Sequence, residues 1–176
     1  MALLAEYRCK ATPARRVVEV YDADADLSDD EAMAAARRQV VAGNGYHLYI
    51  RSLQPDIDVE VAIRVWDTPP GPPADAEGHV PVSIESETGI LVVNQLEYGP
   101  AGETTLPRPG VYEGYAWWEG RQATADYYES SLGHPTDDTF EDHLTQAWKN
   151  CPVTERYVLD LAYTRDPEPI VDDEDL

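Results

Sequence analysis

The sequence predicts an antiparallel β-sandwich of about seven to eight strands with one or two short helices. Three observations carry that prediction. Apolar residues recur at period two in many short runs. Turns rich in Pro and Gly separate those runs. The aromatic residues are 11 Tyr and 4 Trp against one Phe, side chains whose apolar rings and polar tips suit half-buried strand faces.

The elements follow in chain order. "RVVEVYD" (16–22) sets Val18 and Val20 on one face and Val17, Glu19 and Tyr21 on the other. "GYHLYIRSL" (45–53) alternates Tyr46, Leu48 and Ile50 against His47, Tyr49 and Arg51. "IDVEVAIRVW" (57–66) has the strongest pattern, with Ile57, Val59, Val61, Ile63 and Val65 in strict alternation. That is a strand with one face buried. "VPVSIES" (80–86) and "GILVVNQLEY" (89–98) are joined by Glu87-Thr88 and read as a hairpin. "VYEGYAWWEG" (111–120) and "ERYVLDLAY" (155–163) complete the strands. The proline-rich "DTPPGPPADAEG" (67–78) suits neither strand nor helix and is expected as an exposed loop over a sheet edge.

Two helices are expected. "SDDEAMAAARR" opens on Ser28, with Glu31 at the capping-box spacing. Its acids lie in the first turn and Arg37 and Arg38 in the last, which suits the macrodipole. "TDDTFEDHLTQAWKN" (136–150) places Phe140, Leu144 and Trp148 on one face, with Thr136 or Asp137 as its cap. "RQATADYYESSLGHP" reads equally as helix or loop. These segments divide the chain into a single sandwich domain over 1–165, with a helical insertion at about 122–150, and an acidic tail over 166–176 whose composition favours disorder.

Charge bounds the function more tightly than any motif. Thirty-four acids face 13 bases, for a formal net charge of −21. The tail holds six acids and no base, and without it the body still carries −15. Nucleic acid and anionic membranes should be repelled, and a basic protein attracted and steered. Acidity selected for solubility alone is the competing reading. No apolar run approaches the ~20 residues of a membrane span, and "MALLAEYRCK" has no basic region of a signal peptide. Cys9 and Cys151 stand far apart outside any CxxC pair, so a reduced, cytoplasmic protein is expected, with a single disulfide between them as the alternative reading. The preference for Arg and Ala suggests a GC-rich bacterial genome.

Searches for chemistry return little. "DADADLSDDE" (22–31) has the Asp22, Asp24, Asp26 spacing of a calcium loop. Leu27 stands where that loop needs Gly, and Met33 where it needs a bidentate Glu. Asp29, Asp30 and Glu31 serve a helix N-terminus, so Asp22, Asp24 and Asp26 are the candidates for partner contact, against the competing reading of a solvated turn at a strand end. The four histidines lack zinc spacing. His47 reads as a strand-face residue and His143 as a surface one. No GxSxG elbow, catalytic cysteine signature or phosphate-binding GxxxxGK[ST] loop is present. Neither cofactor nor metal is expected, and no motif supports an enzyme. Trp117 and Trp118 point to opposite faces of one strand. Burial on both sides is the expectation where helices cover the outer face, and an exposed ring there would be a binding hot spot.

The order of elements resembles the competence protein J family, small inhibitors of a DNA-entry nuclease. The resemblance runs over roughly residues 17–121. It rests on "DEAMAAARRQVVAGNGYHLYIRS", "IDVEVAIRVW", "VPVSIES-ETGILV" and "LPRPGVYEGYAWW", with Leu106-Pro107, Gly110 and Tyr112 entering the last strand. The segment "QATADYYESS…AWKNC" and the tail look like additions to that pattern. The resemblance implies a nuclease-inhibitor or immunity-like role and assigns no contact residue. Three readings follow: an acidic protein that binds and blocks a basic nuclease or toxin, an adaptor module using the aromatic face at Trp117 or Trp118, and an enzyme of unknown reaction.

Overall fold

The computed structural model describes residues 1–25, 28–133 and 140–168, the last segment beginning with the backbone of Phe140. Among the described residues, ten strands form two five-stranded sheets, and three α-helices accompany them. The first sheet contains β1 (Leu3–Ala11), β5 (Val59–Trp66), β10 (Arg156–Arg165), β9 (Gly110–Glu119) and β6 (Gly78–Ser86), in that order. The second runs β3 (Val41–Gly43), β4 (His47–Arg51), β2 (Val17–Asp22), β7 (Ile90–Gln95) and β8 (Gly99–Thr105). All pairings are antiparallel except β10 with β5.

The core lies between the sheets. Val59, Val61, Ile63 and Val65 of β5, with Tyr157, Leu159 and Leu161 of β10, meet Val18, Val20, Leu48, Ile50, Leu91 and Val93 of the second sheet. The period-two alternation predicts the inner faces of β2, β4, β5 and β10; Leu91 and Val93 lie in the continuous apolar run of β7. Among strands that the sequence reading passed over, β1 alternates Ala5, Tyr7 and Cys9 toward the core. β8 shows no apolar alternation; backbone pairing with β7 builds it, and its Gly102 lies against the Tyr7 ring of β1.

The expected hairpin between β6 and β7 does not form. β6 pairs with β9, Ile84 opposite Tyr112, while β7 pairs with β2 and β8. The chain instead arches from one sheet to the other through residues 87–89. The segment lacks the Asn-Gly type of turn that folds two strands back on each other. Its side chains bond across the sandwich to Asp22, and Gly89 takes φ +77°, open to glycine at no steric cost.

Helix α1 (Asp30–Gln39) begins one residue later than the capping box predicts. Asp29, not Ser28, is its N-cap, accepting from Ala32 N at 3.0 Å. Ala32 and Ala36 pack on Val17, Ala42 and Tyr49, on the outer face of the second sheet. The ambiguous segment is a helix, α2 (Arg121–Leu132). Glu77, from the proline-rich loop, accepts from Arg121 N and Gln122 N at 2.9 and 3.3 Å and so caps it. That loop covers a sheet face rather than an edge, because Ala76 packs on Ala62, Trp117 and Val158. Helix α3 (Phe140–Lys149) rests on α2, with Trp148 stacked on Tyr128 at 5.7 Å. The expected caps Thr136 and Asp137 lie outside the described residues.

Candidate functional site

An acidic pocket of about 270 Å³ opens where three connections meet at one end of the sandwich. The end of β2 and the loop toward α1 supply Asp22, Asp24 and Ala25. The β3–β4 turn supplies Asn44 and Tyr46, and the β6–β7 arch supplies Glu85 and Glu87.

Asp22 is the floor and is only 3% exposed. One carboxylate oxygen accepts from Ser86 Oγ at 2.5 Å, Thr88 Oγ1 at 2.7 Å and Thr88 N at 3.1 Å. The other accepts from Asp24 N at 3.0 Å. Burial pushes the Asp22 carboxyl up, but the bonds from Ser86, Thr88 and Asp24 outweigh it and hold it below its ordinary value. Its charge is therefore fixed in place beneath the pocket.

The rim is more accessible. Asp24 and Glu87 are exposed, and Tyr46 is 47% exposed. Asn44 shapes this wall: its Oδ1 accepts from Tyr46 N and His47 N at 2.9 and 3.0 Å, while its Nδ2 donates to Asp29 at 3.0 Å. Glu85 accepts from Glu168 N at 2.7 Å, and its charge is the main influence raising the Tyr46 phenol. Four carboxylates and one aromatic ring around an open pocket favour an organic cation, held by charge and by the ring face. Among the described residues no group of three or more His, Cys, Asp or Glu side chains is placed to hold a metal ion.

The other sequence candidates lie elsewhere. Asp26 lies outside the described residues. Trp117 and Trp118 are 6% and 7% exposed. Trp118 belongs to the core between the sheets. Trp117 lies on the outer face, where its Nε1 donates to Asp160 at 2.8 Å. Asp160 also receives Trp66 Nε1 at 2.8 Å and a bidentate pair from Arg64 at 2.7 and 2.8 Å. These three residues therefore differ in situation from Asp24: Asp22, Trp117 and Trp118 are interior, with the Asp22 oxygens and the Trp117 N–H taken by internal hydrogen bonds. His47 is a buried strand-face residue, 3.2 Å from Glu19 and packed between Tyr21 and Tyr49. His143 is exposed.

Sequence reasoning missed Tyr46, Glu85 and Glu87. The alternation places Tyr46 inside a strand, whereas β4 begins one residue later, at His47. Glu85 and Glu87 reach Asp24 only because the arch crosses between sheets.

No family model and no curated protein matches the chain. Solved structures do. One is the crystal structure of ComJ, inhibitor of the DNA-degrading activity of NucA, from Bacillus subtilis. It matches with a TM-score of 0.57 at 10% identity, over 93% of this chain and 98% of that one. The chain has the ComJ fold. The likeness extends beyond the residues 17–121 over which the sequence resembles that family. A second structure, described as crocagin biosynthetic gene J, matches with a TM-score of 0.53 at 16% identity, over 92% of this chain and 100% of that one. The ComJ fold thus accommodates sequences with little in common, and its strand order alone fixes no contact surface. No described helix is long and apolar enough to cross a membrane.

Proposed function

We propose that this chain is a non-enzymatic acidic protein that binds and inhibits a basic DNA-degrading nuclease, with the pocket at Asp24, Tyr46, Glu85 and Glu87 receiving a cationic side chain of that partner. The pocket carries the reading. A nuclease needs a basic cleft to hold phosphates, and a chain of net charge −21 is drawn to such a cleft. The pocket adds a specific anchor to that general attraction. ComJ, whose fold the chain has, inhibits NucA. The adaptor reading is less well supported, since Trp117 and Trp118 are nearly inaccessible.

The test is capture from the native cell extract on immobilised protein at low salt, followed by a salt wash and mass spectrometry. The proposal expects a basic nuclease that elutes with salt, and weaker capture by Asp24→Lys and Glu87→Lys. Retention of a partner at high salt, or indifference to both substitutions, would reject it.

A further inference from the structure

Arginine supplies 11 of the 13 basic residues. Among the described residues, six arginines face a carboxylate in an ion pair: Arg8, Arg15, Arg64, Arg108, Arg156 and Arg165. Four of the other five gather in one place. The carbonyl of Arg16, just before β2, accepts from Ser52 N at 2.8 Å. Arg51, at the end of β4 opposite Val17, donates its N–H to Val40 O at 2.7 Å. Val40 closes α1, whose last turn carries Arg37. Arg121, the first residue of α2, donates its Nε to Arg51 O at 3.0 Å.

None of these four pairs with a described carboxylate. Burial first, then the charges of Arg37, Arg16 and Arg121, push the Arg51 guanidinium below its ordinary value. The acids nearby are already engaged. Glu155, beside Arg121, is 1% exposed and bonds to Ser52, Gln54 and Tyr157. Asp56 accepts from Tyr128 Oη at 2.6 Å. The helix dipole of α1 accounts for Arg37. It does not account for Arg16, Arg51 or Arg121.

The backbone marks the same place. Among the described residues, the non-glycine positions with positive φ are Arg15, Arg16 and Val40, at 55°, 69° and 70°. Val40 combines this with ψ −53°, a rare and strained conformation for a β-branched residue. Arg16 and Val40 are the residues whose carbonyls hold Ser52 and Arg51. Strain of this kind concentrates at functional sites.

We propose that Arg16, Arg37, Arg51 and Arg121 form a binding site for a compact, multiply charged phosphate group, such as the phosphate chain of a nucleoside diphosphate. Planar guanidinium groups bind phosphate oxygens in pairs. An extended nucleic acid would run across the acidic body and be repelled. A compact anion can meet the four guanidinium groups without spanning the acidic body, and salt screens the more distant carboxylates. The site is independent of the nuclease reading and stands or falls separately.

Calorimetric titration of the full chain with pyrophosphate and with a nucleoside diphosphate, at matched ionic strength, tests the site. Both should bind and compete. Arg16→Gln and Arg37→Gln should each weaken binding by about tenfold, the order expected when a charge-assisted hydrogen bond is lost. Arg165→Gln should leave binding unchanged. Without ligand, the Arg16→Gln protein should melt no lower than the parent, because a like charge has been removed. Absence of binding by both ligands, binding that survives both substitutions together, or tighter binding of a single-stranded oligonucleotide would overturn the site.

Discussion

Asp22 accepts a hydrogen bond from Ser86 Oγ at 2.5 Å, and that contact ties the end of β2 in one sheet to the end of β6 in the other. Together with Thr88 it fixes the arch that carries Glu87 to the pocket. Asp22→Ala should destabilise the fold by about 3 kcal/mol, because it removes charge-assisted bonds and strands buried hydroxyls. Urea denaturation measures the loss. A variant as stable as the parent would show that the arch holds without Asp22.

Asp160 is the corresponding clamp on the outer face of the first sheet. Burial raises its carboxyl, but the bonds from Arg64, Trp117 and Trp66 prevail and hold it below its ordinary value. A depressed carboxyl contributes stability that is complete above its unfolded pKa, about 3.9. That contribution is lost as pH falls through the folded value. Asp160→Ala should cost about 3–5 kcal/mol near neutral pH, since it leaves Arg64 without its partner in a mostly buried setting. The difference from the parent should shrink in acid. Denaturation followed by tryptophan fluorescence measures both effects.

Glu155 behaves in the opposite sense. It is 1% exposed, and burial raises its carboxyl against the bonds from Ser52, Tyr157 and Gln54. Its contribution is full below the unfolded pKa, about 4.3, and is lost as pH rises through the folded value. Glu155→Gln keeps the shape and removes the charge. The variant should lose less stability than the parent between mildly acidic and neutral pH. Parallel curves for the two proteins would contradict this.

Gly120 precedes α2 at φ +70°, and a Cβ there would lie 2.2 Å from Thr154 O. Gly120→Ala should destabilise by about 2 kcal/mol or more, from strain and a backbone clash together. Thermal unfolding checks it, and an unchanged Tm would mean that the 153–154 segment can move aside.

The inner faces were legible because a strand buried on one side must alternate, as Val59, Val61, Ile63 and Val65 do. β8 was not, because Gly99, Pro100 and Gly102 offer no periodicity and the strand owes its existence to β7. The partner of β6 was hidden for another reason: adjacent strands often pair, whereas the ladder to β9 and the bonds to Asp22 that accompany the crossing are long-range. The site was half visible. Asp24 came from a local charge run, whereas Glu85, Tyr46 and the four gathered arginines come from segments far apart in the chain. No local signal links them.

The most direct measurement is titration of the purified chain into a DNA-cleavage assay of the basic nuclease from its own cells, at low salt and again at high salt. The account predicts stoichiometric loss of cleavage at low salt, recovery as salt rises, and weaker inhibition by the Asp24→Lys/Glu87→Lys protein. Full cleavage in the presence of excess chain at low salt would contradict it.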